Sequence, residues 1–174
     1  MKIKFIIQDK LKSIVHKIQW MGSDWEDKAL ILAARTLMFS AAWRESSKSI
    51  DLASKEFKVF SQWGDDGIIQ YLVHTLKINN KKFIEFGVGN YFESNTHFLL
   101  VNNNWSGFII DGSQKCMDIV KNNPFFWRYD LNLKTAFIDK ENINKLLEYS
   151  NFTNIGLLHI DLDGNDYWIL DSLD

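Results

Sequence analysis

The stretch that most constrains this chain is Lys81–Asn90, which reads K-K-F-I-E-F-G-V-G-N. Phe83, Ile84 and Phe86 predict a short buried strand, and the glycine turn 87–89 follows it directly. Glycine lets the backbone turn sharply and approach a ligand closely, because it has no Cβ. A strand that leads into such a turn, with a helix after it, is how α/β proteins bind nucleotide-like ligands.

The rest of the sequence repeats this strand–helix unit. Apolar runs that end in turn residues predict three further strands, at Ser106–Asp111, Leu133–Ile138 and Gly156–Ile160. Helical patterns separate the strands, and this alternation is typical of a parallel sheet with helices on both faces and right-handed crossovers. We therefore expect a Rossmann-like, doubly wound, mostly parallel α/β sheet in residues 57–174.

Residues 1–56 are expected to form an N-terminal helical extension. Apolar residues at helical spacing predict one amphipathic helix over residues 3–20, and the capping box Ser23–Glu26 opens a second one. Packing of both helices is favoured over docking on a membrane surface or a partner. The second helix is expected to turn six residues inward: Leu30, Ile31, Ala34, Leu37, Met38 and Ala41.

Composition excludes several classes of protein. The net charge of −2 and the lack of a long basic run argue against nucleic acid as a partner. Cys116 is the single cysteine, so no internal disulfide can form, which suits a reducing compartment. The apolar run near the N-terminus is too short for a signal peptide or a membrane span. We expect a cytoplasmic protein.

Acidic residues follow the predicted strands at the edge where parallel α/β sheets bind ligands. For Glu85 and Asp111, ligand contact is favoured over a purely local role in turns; for Asp163, followed by Gly164, function and turn formation are equally favoured. His159 lies in an apolar strand, where a core histidine is favoured over a catalytic one. The acidic set is Glu85, Asp111, Asp139, Asp161 and Asp163.

The glycine turn distinguishes between two cofactor classes. A dinucleotide fingerprint G-x-G-x-x-G would need a third glycine where Phe92 stands, which disfavours a nicotinamide-linked oxidoreductase. The chain has instead the pattern E-x-G-x-G, in which an acidic residue stands two positions before the first glycine. In order along the chain stand S-Q-W-G-D-D-G-I-I, E-F-G-V-G-N-Y-F-E-S-N-T, W-S-G-F-I-I-D-G and L-L-H-I-D-L-D-G-N-D-Y-W. This ordered set, over about residues 60–174, resembles the FkbM-like family of class I S-adenosylmethionine-dependent methyltransferases.

The resemblance implies a cofactor site for S-adenosylmethionine. Gly87 and Gly89 would pass under the methionine part of the cofactor, with Glu85 near its ammonium group. Asp111 would accept hydrogen bonds from the ribose hydroxyls, with Ser113 nearby. Ile138 and Asp139 would flank the adenine.

The resemblance also implies the reaction. Asp161 and Asp163 would face the methyl group and the acceptor, and either carboxylate could take the proton of an acceptor hydroxyl. The pair could equally hold a divalent cation, so the use of a metal stays open. The expected activity is O-methylation of a small-molecule or carbohydrate hydroxyl.

Compared with the family, the sheet is expected to be truncated, because about three further strands would normally follow the fourth. The fourth strand would then be an exposed edge. The alternative function is therefore a non-catalytic, truncated methyltransferase-like module that associates through this edge, for example as a homodimer.

Overall fold

The structure is a computed structural model that describes residues 26–40 and 51–174. The chain divides into two compact units, Met1–Ile50 and Asp51–Asp174. The predicted helix over residues 3–20, and Ser23 and Ala41 of the second predicted helix, lie outside the described residues. Within the part that is described, no helix is long and apolar enough to cross a membrane.

Helix α1 of the first unit covers residues 26–39 and confirms the second predicted helix over that range. Its least exposed apolar residues are Ile31, Ala34 and Met38, which are spaced along one helical face. Leu30 and Leu37 were expected on that face as well, but 44% and 42% of their surface is exposed. The apolar stripe is therefore narrower than the sequence pattern predicts.

The second unit alternates strands and helices. It opens with a 3-10 helix, Ala53–Lys55. The strands are β1 (Lys82–Phe86), β2 (Ser106–Asp111), β3 (Leu131–Thr135) and β4 (Leu157–Ile160). The helices are α2 (Asp65–Thr75), α3 (His97–Asn103), α4 (Gln114–Asn122), α5 (Ile143–Glu148) and α6 (Asp166–Asp171), with a second 3-10 helix at Phe126–Arg128.

The four strands form one parallel sheet in the order β3-β2-β1-β4. The chain leaves β1 towards β2 and β3, and then crosses back to place β4 on the other side of β1. This confirms the expected Rossmann-like α/β fold and puts the topological switch point between β1 and β4. β4 pairs only with β1, so it is an edge strand of this sheet, as expected.

Alternation along the strands builds one core on each face of the sheet. Phe83 and Ile109 pack with Leu99 and Leu100 of α3 and with Met117 of α4. The opposite face collects Ile84, Phe86, Phe108 and Ile110 with Ile143 and Leu146 of α5 and Ile169 of α6. Helices thus cover both faces, as a doubly wound sheet requires.

Two elements differ from the sequence prediction. β3 begins at Leu131 and ends at Thr135, so residues 136–138 are not part of the strand predicted as Leu133–Ile138. The helical spacing of Ile69, Leu72, Val73 and Leu76 predicts the inward face of α2. Ile69 and Val73 do pack against the core, but Leu72 and Leu76 are exposed. The buried residues of α2 are Asp66, Gly67, Gln70 and Tyr71.

Polar side chains form part of the buried face of α2. The Oδ2 atom of Asp66 accepts hydrogen bonds from three consecutive backbone N–H groups, those of residues 59, 60 and 61, at 2.7, 2.7 and 3.0 Å. Oδ1 of Asp66 is buried without a hydrogen-bond partner. A hydrophobicity pattern does not register a buried carboxylate that is held through one oxygen in this way.

Candidate functional site

The glycine turn after β1 contains two glycines with different constraints. Gly87 (φ +74°) and Gly89 (φ +54°) both have left-handed backbone conformations that favour glycine. A Cβ at Gly87 would lie 1.7 Å from the carbonyl oxygen of Asp161, whereas a Cβ at Gly89 would meet nothing within 4 Å. Gly87 therefore lets the turn pack against the end of β4, and Gly89 borders open space.

Asp111, the last residue of β2, connects two turns. Its Oδ2 accepts a hydrogen bond from the backbone N–H of Gly89 at 2.8 Å, and its Oδ1 accepts one from the N–H of Ser113 at 2.7 Å. The hydroxyl of Ser113 accepts from the N–H of Cys116 at 3.3 Å, so Ser113 is the N-cap of α4. Asp111 is half-buried, and each carboxylate oxygen keeps acceptor capacity for a further donor.

Glu85 is a buried carboxylate held by the loop before α3. Its Oε2 accepts hydrogen bonds from the hydroxyls of Ser94 and Thr96 and from the N–H of Thr96 at 3.2 Å. Its Oε1 accepts one protein hydrogen bond, from the N–H of Asn95 at 3.1 Å. Only 2% of Glu85 is exposed, so these donors replace the water that an ionised carboxylate needs.

His159 lies beside this carboxylate rather than in a purely apolar strand. It is the β4 partner of Glu85 in the sheet register, and its Nδ1 is 3.4 Å from Oε1 of Glu85. Its Nε2 is 3.0 Å from Nδ2 of Asn95. A quarter of the His159 side chain is exposed, so the polar network formed by Glu85, Asn95 and His159 reaches the protein surface.

An aromatic cluster adjoins the same loop. The His97 ring stacks on the rings of Phe60 and Tyr91, with centroids 4.0 and 4.8 Å away, and lies 5.3 Å from that of Phe125. The Tyr91 hydroxyl is 3.0 Å from the Thr96 hydroxyl. Burial lowers the pKa of His97 to about 4, and burial, together with the charge of Glu85, raises the pKa of Tyr91 well above 10.

The remaining acidic residues fall into two groups. Asp139 is engaged in its own turn, where its Oδ1 accepts from the N–H groups of Glu141 (3.1 Å) and Asn142 (2.9 Å) just before α5. Asp161 and Asp163 follow β4 and are exposed. Their carboxylates accept no hydrogen bond from the described residues. Asp166 holds their turn by accepting from the N–H of Leu162 at 2.6 Å.

The structure thus brings most of the predicted site residues to the carboxyl edge of the sheet. Hydrogen bonds and backbone packing join Gly87, Gly89, Asp111 and Ser113 to the start of the Asp161 loop. Within residues 26–40 and 51–174, no three His, Cys, Asp or Glu side chains are grouped as a metal site would require.

Sequence reasoning missed Asn95 as a site residue. From the sequence alone, Ser94, Asn95 or Thr96 is expected to cap α3. In the structure the Asn95 side chain contacts His159 and its N–H donates to Glu85. The signal was present in the run E-S-N-T, because small polar residues before a helix can bind a carboxylate as readily as they cap.

The sequence matches no protein-family model and is not significantly similar to any curated protein. A functional inference for this chain therefore depends on its own residues and on the motif resemblance.

Proposed function

We propose that this chain is an S-adenosylmethionine-dependent methyltransferase that transfers a methyl group to a hydroxyl of a small molecule or carbohydrate, and that it acts in the cytoplasm. The observation that carries the proposal is the open glycine turn at the switch point, tied through Gly89 to the carboxylate of Asp111. Ligands of doubly wound sheets bind at this position.

The residues present fit the cofactor. The space over Gly89 would admit the methionine part, the remaining acceptor capacity of Asp111 suits the ribose hydroxyls, and Ser113 lies at the same turn. Asp139 and Ile138 are proposed beside the adenine. Glu85 supplies a negative charge for the ammonium group.

S-adenosylmethionine supplies an electrophilic methyl group, so the chain has to align an acceptor hydroxyl with it and remove a proton. Asp161 and Asp163 are the carboxylates best suited to take that proton, because they are exposed at the end of β4 and are not occupied by backbone donors. The acidic residues that are so occupied, such as Asp139 and Asp166, instead hold their turns.

Binding of S-adenosylhomocysteine tests the cofactor site. At about a hundredfold excess over its dissociation constant it should stabilise the folded protein by about 2.7 kcal/mol, a measurable rise in melting temperature. Gly89→Asn should remove that rise, since asparagine tolerates a left-handed backbone but fills the space above the turn.

Gly164→Asn is the matched control. Gly164 also has a positive φ (+94°) and open space at its Cβ position, but it lies in the turn after β4. This variant should keep the rise. The absence of a rise in the wild type, or an equal rise in the Gly89→Asn variant, would contradict the proposed site.

A second candidate function rests on β4. This edge strand leaves one side without a strand partner among the described residues, and α6 behind it exposes Tyr167, Trp168 and Leu170 by 65%, 62% and 59%. The alternative proposal is a non-catalytic module that dimerises through this edge. Sedimentation velocity across protein concentrations decides: a monomer at every concentration rules it out.

A further inference from the structure

Exposed aromatic side chains of the second unit are concentrated at the carboxyl edge of the sheet. Within residues 51–174, this edge carries five of the seven exposed aromatic residues: Trp63, Phe92, Phe137, Tyr167 and Trp168. The other two, Trp127 and Tyr149, lie at the opposite edge, where the strands begin. Exposed apolar residues that collect on one side of a protein, rather than being scattered over it, mark ligand or partner sites.

Trp63 combines a fixed backbone with an exposed side chain. The hydroxyl of Ser61 donates to the carbonyl oxygen of Trp63 at 3.0 Å and accepts from the N–H of Asp66 at 3.1 Å. The carbonyl oxygen of Gln62 accepts from Nζ of Lys58 at 2.9 Å. Even so, 73% of Trp63 is exposed. A ligand that contacts this ring would have little backbone left to order, which favours binding.

The loop that carries Trp63 is packed against the region of the glycine turn. Phe60, three residues before Trp63, stacks on His97, the first residue of α3. The other stacking partner of His97 is Tyr91, whose N–H donates to the carbonyl oxygen of Val88 at 2.9 Å. The Trp63 loop therefore meets the segment that continues directly from the turn of residues 87–89.

Phe92 is a second exposed ring in that segment. It follows Tyr91, its N–H donates to Oδ1 of Asn90 at 3.1 Å, and 48% of its surface is exposed. Trp63 and Phe92 thus belong to two loops that meet at His97. We call these two residues the aromatic platform.

The charges at the carboxyl edge disfavour an anionic ligand. At the ends of the strands and in the segments that lead to the next helices, acidic residues outnumber basic ones: Glu93, Asp111, Asp139, Glu141, Asp161, Asp163 and Asp166 against Lys115 and Lys140. Carboxylates repel phosphate and carboxylate groups but accept hydrogen bonds from hydroxyls. Gln62, exposed next to Trp63, adds an amide that can donate or accept. A neutral ligand rich in hydroxyls fits this edge best.

We propose that a sugar ring of the acceptor stacks on the aromatic platform, and that the acceptor is a neutral carbohydrate. A pyranose ring has C–H groups on its faces and hydroxyls around its rim. The C–H groups suit the negative face of an aromatic ring, and the hydroxyls suit Gln62 and the carboxylates of the edge. The inference rests on the proposed function, and it narrows the acceptor of that reaction from a small molecule or carbohydrate to a carbohydrate.

The indole N–H signal of Trp63 in a ¹H–¹⁵N spectrum of the full chain tests the platform. The signals of Trp63 and Trp127 are assigned by their loss in Trp63→Leu and Trp127→Leu. With S-adenosylhomocysteine present, the chain is titrated with methyl glycosides of glucose, galactose, mannose and rhamnose up to about 50 mM, which detects millimolar affinities. Trp127 is the matched control, because 74% of it is exposed, but at the opposite edge.

We expect at least one methyl glycoside to shift the Trp63 signal in a saturable way and to leave the Trp127 signal unchanged. Glucose 6-phosphate should bind more weakly, because the edge is acidic. Trp63→Leu should weaken the bound glycoside about tenfold, as the loss of an aromatic stacking partner predicts. Phe92→Leu should also weaken it, whereas Trp127→Leu should not. The platform variants should keep the rise in melting temperature with S-adenosylhomocysteine, which shows that they fold.

The outcomes separate the platform from the cofactor site. If no methyl glycoside shifts the Trp63 signal, or if the Trp127 signal shifts equally, the platform is wrong. Phenol serves as an aromatic hydroxyl compound: if phenol shifts the Trp63 signal and no glycoside does, the acceptor class is wrong. In these cases binding of S-adenosylhomocysteine leaves the proposed function standing. If the wild type does not bind S-adenosylhomocysteine, the proposed function fails, and the acceptor assignment fails with it.

Discussion

The carboxylate of Asp111 accepts a hydrogen bond from the backbone N–H of Gly89, 22 residues earlier in the chain, at 2.8 Å. The bond joins the end of β2 to the turn after β1. Asp111, which we propose to bind the ribose of the cofactor, therefore also holds the turn that we propose to contact the methionine part. Loss of this carboxylate should therefore affect both stability and binding.

Replacing Asp111 with Ala leaves the N–H groups of Gly89 and Ser113 without acceptors. We expect the free energy of unfolding to fall by about 1–3 kcal/mol and binding of S-adenosylhomocysteine to be lost. Urea denaturation and calorimetry measure the two effects. Asp118→Ala is the control, because Asp118 is an exposed residue of α4 and its loss should change stability by less than about 0.5 kcal/mol. Unchanged stability of Asp111→Ala would contradict the observed bonds.

His97 should make the protein sensitive to acid. Burial lowers its pKa to about 4, so between the ordinary value of 6.5 and about 4 the unfolded chain binds a proton that the folded chain does not. The contribution of His97 to the free energy of unfolding is complete above pH 6.5. It declines by about 3 kcal/mol in total as the pH falls to about 4. Urea midpoints across this pH range measure the decline.

His97→Phe should remove that decline, since a phenyl ring fits between Phe60 and Tyr91 and cannot be protonated. His74→Phe, at an exposed position of α2, should leave the decline in place. If the stability of His97→Phe declines with falling pH as that of the wild type does, His97 is not the group responsible.

Asp66 should have the opposite effect on the pH dependence of stability. Burial raises its pKa above 3.8 despite the backbone donors at residues 59–61, so the folded chain holds this proton more tightly than the unfolded chain. Its contribution to stability is complete below pH 3.8 and is lost as the pH rises through the raised value. Asp66→Asn should remove this loss, since an amide oxygen can still accept from the three N–H groups.

Asp66→Ala provides the contrast, because it leaves all three N–H groups without an acceptor and should cost about 2 kcal/mol or more at every pH. Asp65→Asn controls for the loss of a charge in the first turn of α2. Denaturation at about pH 4 and about pH 7 distinguishes these cases. An Asp66→Asn variant with the same pH dependence as the wild type would contradict the assignment.

The sheet was predictable because its signals are local. β1, β2 and β4 are short apolar runs that end in glycine or aspartate, and α4 has a Ser113 cap with Met117 and Val120 buried at helical spacing. The polar part of the buried face of α2 was not predictable by the same means. Oδ2 of its buried Asp66 accepts hydrogen bonds from backbone groups five to seven residues earlier, and a hydrophobic pattern carries no information about that.

The site was predictable in position but not in its contacts. Strand ends place Glu85, Asp111 and Asp161 at one edge of any parallel sheet, whatever their partners are. That His159 lies opposite Glu85 depends on the register between β1 and β4. Register arises from long-range packing, which single-sequence periodicity does not specify.

The two glycines of the turn should respond differently to the same change. Gly87→Ala would place a Cβ 1.7 Å from the carbonyl oxygen of Asp161, a backbone atom that cannot move without shifting β4. We expect a loss of several kcal/mol in the free energy of unfolding, or no folded protein. Gly89→Ala has the same unfavourable sign of φ but open space around its Cβ, so its cost should stay near the 1–2 kcal/mol of a left-handed alanine. Chemical denaturation of the pair tests this, because equal losses would show that backbone conformation alone, and not contact with the end of β4, makes glycine necessary at position 87.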